Sequence, residues 1–229
     1  GESYTISDSV CRGRQRVNYP KCNVCLEKVE PGGFAQSHAE PKLSINIFKS
    51  YDIRGKYPSE LNDTTAHKIG TSIALFFREK NPDVKNIVVG RDMRLSSKSL
   101  ANALIEGLCT AGLNVINVGV VSSEMTYFAV GHYKYDGGVM VTASHNPAEY
   151  NGFKLCREQA IPVSFETGID RISKLTKQYH PLRGEHLGKV IVSDIFVDYK
   201  KHVLKFASNL RHLRVVIDAG NGMAGKTIP

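Results

Sequence analysis

Two hydrophobic periods alternate along most of the chain. Short aliphatic, β-branched runs recur at residues 86–90, 115–118 and 139–142. Between them lie longer stretches with apolar residues three and four apart, the spacing of one helix face. A helix over 64–80, capped by Asn62 or Asp63, places Ile69, Ile73, Phe76 and Phe77 on its inner face and ends at Asn81-Pro82. A second helix starts after Ser96 or Ser97 and carries Leu100, Leu104 and Leu108 inward. Gly112 closes it as the residue past its carboxyl end. A third opens at Ser123 and runs to about residue 133. With an alternating run at 43–48 in front, the order is β-α-β-α-β-α-β. It predicts an α/β fold with a mixed, mainly parallel sheet sandwiched by helices. Residues 51–55 are expected as a loop, and 91–94 follow at the carboxyl end of the 86–90 strand.

Past residue 154 the pattern predicts a helix over 164–178, a linker with Pro181 and Gly184, and an extended segment at 190–192. A helix over 194–207 follows, with Ile195, Tyr199, His202, Val203 and Phe206 as one face. Residues 214–218 read as a new strand entering a glycine-rich turn at 219–225. The expected organisation is an extension over 1–42, an α/β domain over 43–182, and a linker with the start of a second, similar α/β domain over 183–229.

Residues 1–42 lack either period and contain Pro20, Pro31, Gly32, Gly33 and Pro41. They read as a flexible extension. Cys11, Cys22, Cys25 and His38 are the ligand types of a tetrahedral zinc site, but a lone Cys-x-x-Cys with loosely spaced partners leaves both readings open. Of the 229 residues, 41% are hydrophobic and 23% charged, ordinary for a soluble globular chain. No apolar run approaches the ~20 residues of a membrane span, and the first residues have no signal-peptide pattern, so a cytoplasmic protein is expected. Cys109 and Cys156 read as unpaired, which suits a reducing compartment.

The formal net charge is +8. Residues 1–40 balance five basic residues (Arg12, Arg14, Arg16, Lys21, Lys28) against five acidic ones (Glu2, Asp8, Glu27, Glu30, Glu40). The excess is therefore spread over the rest of the chain. A dispersed positive field suits a phosphorylated substrate, and equally solubility. Basic residues do not interleave with aromatic ones as a nucleic-acid platform requires, so no nucleic-acid partner is expected.

Candidate chemistry concentrates in residues 137–154, GGVMVTASHNPAEYNGFK. A buried strand ends on Ala143-Ser144-His145-Asn146-Pro147, at the edge where open α/β sheets bind ligands. A Ser-His-Asp hydrolase is disfavoured: His145 adjoins Ser144, and there is no Gly-x-Ser-x-Gly elbow. Two uses of Ser144 remain, a serine-type turn or a phosphoryl carrier. The second adds about −1.5 to −2 charges and needs cations nearby. Arg54, Arg91 and Lys154 are the candidates. Arg54 can grip phosphate or pair with Asp52 or Asp92; Arg91 can pair with Asp92; Lys154 can serve as acid/base or be solvated. Residues 218–222 lack Gly-x-Gly-x-x-Gly, which disfavours a dinucleotide loop.

Thr142-Ala143-Ser144-His145-Asn146-Pro147 resembles the phosphoserine loop of the α-D-phosphohexomutases. Tyr51-Asp52-Ile53-Arg54-Gly55, Gly90-Arg91-Asp92, Asn151-Gly152-Phe153-Lys154 and residues 216–222 fall in that family's order and spacing. The likeness covers about residues 43–229 and is greatest to the phosphomannomutase/phosphoglucomutase branch. It implies the first domain of an enzyme that interconverts hexose 6-phosphate and hexose 1-phosphate, of mannose or glucose, through a hexose 1,6-bisphosphate. Phosphorylated Ser144 would be the donor and, through its phosphate, a ligand of Mg²⁺. Lys154 would be the general acid/base, with His145 and Arg54 beside it, and Tyr51, Asn146 and Arg91 would line the pocket. The family's metal, sugar-selecting and substrate-phosphate loops lie in later domains and do not occur in these 229 residues. The remaining domains of a full-length enzyme would be partners, and this chain alone is expected to be inactive. A non-catalytic phosphosugar-binding fragment is the alternative.

Overall fold

A computed structural model describes residues 45–181, 187–208, 211–212, 214–220 and 222–228. The expected extension and its candidate zinc ligands lie outside the described residues. Six strands, β1 (Ile53–Lys56), β2 (Asn86–Arg91), β3 (Asn114–Val120), β4 (Gly137–Val141), β5 (Tyr150–Arg157) and β6 (Val190–Val192), form one sheet in the order β1-β5-β4-β2-β3-β6. The helices are α1 (Asp63–Lys80), α2 (Ser97–Thr110), α3 (Ser123–His132), α4 (Asp170–Lys177), α5 (Phe196–Leu204) and α6 (Ala224–Thr227).

Strands β4, β2, β3 and β6 run parallel, while β5 is antiparallel to β4 and β1 antiparallel to β5. The chain steps from β2 to β3, then back past β2 to β4. Right-handed crossovers in opposite directions put α2 and α3 on opposite faces. Neighbouring residues of β4 mark those faces: a Cβ at Gly137 would meet the Phe77 ring of α1, and one at Gly138 would meet Val130 of α3. Helices α1 and α2 approach closely through Gly70 and Gly107. A Cβ on Gly70 would lie 2.3 Å from the Leu104 carbonyl oxygen.

The helical pattern is realised in detail. Ile69, Ile73, Phe76, Phe77, Leu100, Leu104 and Leu108 are all buried. The Asn62 side chain accepts from the Thr65 N–H at 3.0 Å. Gly112 takes a left-handed φ of 82° just past α2. Among the described residues Cys109 and Cys156 are free. Burial pushes the Cys109 thiol up to about 11 and the Cys156 thiol up to about 12.

Four local expectations are corrected. The strand expected over 43–48 is, where described, a 3-10 turn at Ile45–Ile47 and a single bridge from Phe48 to Ile53. The chain reverses there through a Lys49 N–H to Asp52 carbonyl bond of 2.8 Å. The edge position goes instead to Ile53–Lys56, inside a segment expected as a loop, because β5 offers it a ladder. The helix over 164–178 opens as a π turn, Phe165–Ile169, under a Ser164 capping box before α4 begins. Residues 214–218 form no strand, and Val215, Val216 and Ile217 are 69%, 98% and 51% exposed. A β-branched run becomes a strand only by pairing, and these residues join no ladder of the described sheet.

Gly152 sets the closeness of the β1–β5 pair. A Cβ there would sit 2.1 Å from the Ile53 carbonyl oxygen, a backbone atom that cannot rotate away. Gly152→Ala is therefore expected to lower unfolding stability by about 1–3 kcal/mol, the usual cost of overpacking. Urea denaturation measures it, and a midpoint equal to wild type would contradict the close approach.

Candidate functional site

Strand β4 is fully buried and releases the chain into residues 142–149 at the carboxyl edge of the sheet. The exit is controlled by Thr142. Its Oγ1 donates to Asp92 Oδ2 at 2.7 Å and accepts from the Ser144 N–H at 2.9 Å. Ser144 is exposed and adopts a φ of 54°. That left-handed backbone costs an L-residue roughly 1–2 kcal/mol, so the loop around it must hold it there.

The holding group is Arg94. Its Nη1 donates to the carbonyls of Pro147 (2.8 Å) and Tyr150 (3.1 Å), and its Nη2 to those of Ser144 (2.9 Å) and Asn146 (2.6 Å). Its Nε lies 3.3 Å from Asp92 Oδ2. The four Nη hydrogens are thus hydrogen-bonded, and the Nε side forms an ion pair with Asp92. Asp92 is 9% exposed and is held in turn: its Oδ1 accepts from the Arg94 N–H at 3.0 Å and from the Ser97 hydroxyl at the start of α2. Asn151 of β5 is fully buried and donates to Ser96 Oγ (2.8 Å) and Ser97 Oγ (2.9 Å). The end of β2, the start of α2, the loop after β4 and the start of β5 therefore share one hydrogen-bond network.

Register brings the other candidates to the same edge. Arg54 pairs with Gly152, and Phe153 with both Ile53 and Val141, so Arg54 stands one residue beyond the end of β4. Its Nη1 donates to Asn146 Oδ1 at 3.0 Å, Nη2 binds Asp52 Oδ2, and the buried Nε has no partner. Lys154 lies opposite Met140 on β4. Because Gly152 and Lys154 are two apart on β5, Arg54 and Lys154 share a face as diagonal neighbours. Such positions are ~7–8 Å apart, within reach of long side chains. His145 Nδ1 is 3.4 Å from Ser144 Oγ, with both groups exposed. Tyr51 is 78% exposed in the turn before β1.

Register brings Arg91 to the same edge, opposite Val141 of β4, but not into the hydrogen bonds that hold the Ser144 loop. Its Nη1 reaches only the backbone carbonyl of Asp92, at 3.4 Å, while the Asp92 carboxylate pairs with Arg94. Burial lowers the Arg91 pKa, and the Asp92 charge opposes that. The residues that sequence reasoning missed are Arg94, Asn151 and the serines at the start of α2. Arg94 binds backbone carbonyls, which carry no residue pattern. Its one trace is a position three residues past Arg91, at the end of a predicted strand.

Fold and site together define a three-layer α/β/α domain with an anchored, exposed serine at the carboxyl edge of its sheet. Residues 46–182 match phosphoglucomutase/phosphomannomutase, alpha/beta/alpha domain I, and the chain belongs to that family. It is 40% identical over 186 residues to a phosphomannomutase of Vibrio cholerae, covering 80% of this chain and 40% of that one. It is 41% identical over 185 residues to a protein of Xanthomonas campestris named as phosphohexose mutases, with the same two coverages. A solved phosphoglucomutase/phosphomannomutase family protein from Burkholderia thailandensis superposes with a TM-score of 0.68 at 31% identity, over 81% of this chain and 41% of its own. The chain thus spans about 40% of the length of these relatives.

Thr142 gives a direct check on the network. Thr142→Val keeps the shape but leaves the Ser144 N–H and Asp92 Oδ2 each short of a partner, so it is expected to cost about 1–3 kcal/mol. Thr142→Ser keeps the hydroxyl and is expected to cost less than about 1 kcal/mol. Denaturation curves of the two variants decide; valine tolerated as well as serine would contradict the bond assignment.

Proposed function

We propose that this chain carries the phosphoryl-bearing serine of a phosphohexose mutase, acting on hexose phosphates of mannose or glucose. What carries the reading is Ser144: exposed, held in left-handed backbone, with the Arg54 guanidinium bonded to its loop. The likeness to named phosphomannomutases supports it.

In the proposed reaction, the free hydroxyl of a hexose 1- or 6-phosphate attacks the phosphorus on Ser144. The sugar O–P bond forms, the Oγ–P bond breaks, and a hexose 1,6-bisphosphate results. The hydroxyl proton passes to Lys154, and His145 protonates the departing Ser144 oxygen. The bisphosphate turns around, and Ser144 takes the other phosphoryl group. Its hydroxyl proton returns to His145, and Lys154 reprotonates the sugar oxygen, so groups and protons balance over the cycle. Arg54 supplies positive charge beside the transferred group, and Asn146, bonded to Arg54, shapes the loop.

Mg²⁺, implied by the resemblance, does not fit the described residues by themselves. Among them no group of three or more His, Cys, Asp or Glu side chains is placed to hold a metal ion. The Asp52 carboxylate is committed to Arg54, and that of Asp92 to Arg94, Ser97 and Thr142. On this reading the sugar-selecting contacts and the metal carboxylates belong to the rest of a full-length enzyme, and the 229 residues alone turn over little substrate.

Intact-mass measurement after incubation with glucose 1,6-bisphosphate tests the proposal. The expected result is a gain of one phosphoryl group that Ser144→Ala abolishes. No gain, or a gain that survives Ser144→Ala, would overturn it. Hexose phosphate binding without any gain would favour a non-catalytic phosphosugar-binding role.

A further inference from the structure

We infer that Arg94 is a positioning residue for phosphoryl transfer, setting the reactive conformation of Ser144 through the backbone and not by contact with substrate. The inference rests on the reading of Ser144 as phosphoryl carrier. It starts from the fact that three carbonyls of one short loop and that of Tyr150, the first residue of β5, converge on one guanidinium. Loop carbonyls without a protein donor rely on water as their partner. Here those of Ser144, Asn146, Pro147 and Tyr150 turn inward together, toward a cation that is itself only 15% exposed.

The consequence follows from peptide planarity. In a trans peptide the C=O and the following N–H point in opposite directions, and the peptide bonds of this loop are trans. Drawing the Ser144 and Pro147 carbonyls onto Arg94 therefore turns the N–H groups of His145 and Ala148 toward the other side of the loop. Negative dipole ends are gathered behind the loop against a positive charge, and positive ends face away from it. A loop that must accept a phosphoryl group on Ser144 gains on both counts, since carbonyl oxygens beside the new anion would repel it.

The chemistry requires arginine. A guanidinium presents five donors in a rigid planar fork, enough for four carbonyls and the Asp92 carboxylate together; an ammonium has three, arranged as a point charge. Lysine at this position keeps the charge and loses the convergence. Asp92 forms an ion pair at the Nε side of the fork, and the Arg94 N–H donates back to the same carboxylate.

The experiment compares wild type, Arg94→Lys and, as control, Arg171→Lys, a surface arginine paired with Glu79 on the far helices. Phosphorylation of Ser144 by glucose 1,6-bisphosphate is followed by intact mass over a range of donor concentrations. Amide hydrogen exchange is followed by NMR in the absence of donor. For Arg94→Lys the maximal phosphorylation rate is expected to fall by about tenfold or more with half-saturation within about threefold, the signature of a lost transition-state arrangement and not of lost binding. The Asn146 and Tyr150 amides, which close the loop's turns on the Ala143 and Pro147 carbonyls, are expected to exchange about tenfold faster or more, while core amides of Ile69 and Leu104 keep their rates. The control matches wild type throughout. Wild-type loop exchange in Arg94→Lys would overturn the inference, as would loop exchange that rises only together with that of the core. A wild-type protein that takes no phosphoryl group would sink the functional reading instead, and the exchange arm would still decide whether Arg94 sets the loop.

Discussion

One planar cation holds the carboxyl edge of this sheet together. The Arg94 guanidinium takes three loop carbonyls, the Tyr150 carbonyl at the start of β5 and one carboxylate. The constraint is severe because the loop leaves a strand buried over its whole length. Backbone polar groups at such an exit must find partners, or the strand end frays. Arg94 meets that requirement and, in doing so, offsets the unfavourable left-handed backbone of Ser144. Its own orientation depends on Asp92, which depends on Ser97 and Thr142. The loop is thus tied through hydrogen bonds to the junction of β2 and α2 beneath it.

The second determinant is register. The antiparallel flank of β5 and β1 carries Arg54 to the level just past the end of β4, and Lys154 onto the same face. The close approach at Gly152 sets that flank, and the buried amide of Asn151 bolts it to the start of α2. A serine, two cations and an imidazole from segments up to a hundred residues apart in sequence thereby stand at one edge. On the proposed reading this arrangement lets a charged phosphoryl group be loaded and unloaded without the loop reorganising, the general requirement for electrostatic preorganisation.

The helices and the parallel strands were legible because their information is local. Asn62 caps α1 through its own side chain, Gly112 closes α2 with its own backbone, and the apolar faces follow the helical period. β1 was not legible. Its four residues, Ile-Arg-Gly-Lys, carry little strand preference, and their partner lies about a hundred residues later. The run at 214–218 failed in the opposite sense: strong β preference with no ladder to join. Ser144, His145, Asn146, Arg54 and Lys154 stood out as candidates by residue type. Arg94 did not, because a side chain that binds main-chain carbonyls leaves no mark on the residues it binds.

Loading of Ser144 without loop reorganisation requires the loop to be preformed around Arg94 before any phosphoryl group arrives. An experimental structure of the unphosphorylated protein, at a resolution that orients the carbonyls of residues 144–150, tests this most directly. The account predicts Ser144 with φ near 54° and the Ser144, Asn146, Pro147 and Tyr150 carbonyls all within hydrogen-bond reach of Arg94. Ser144 in extended backbone, with Arg94 turned out to solvent, would contradict it.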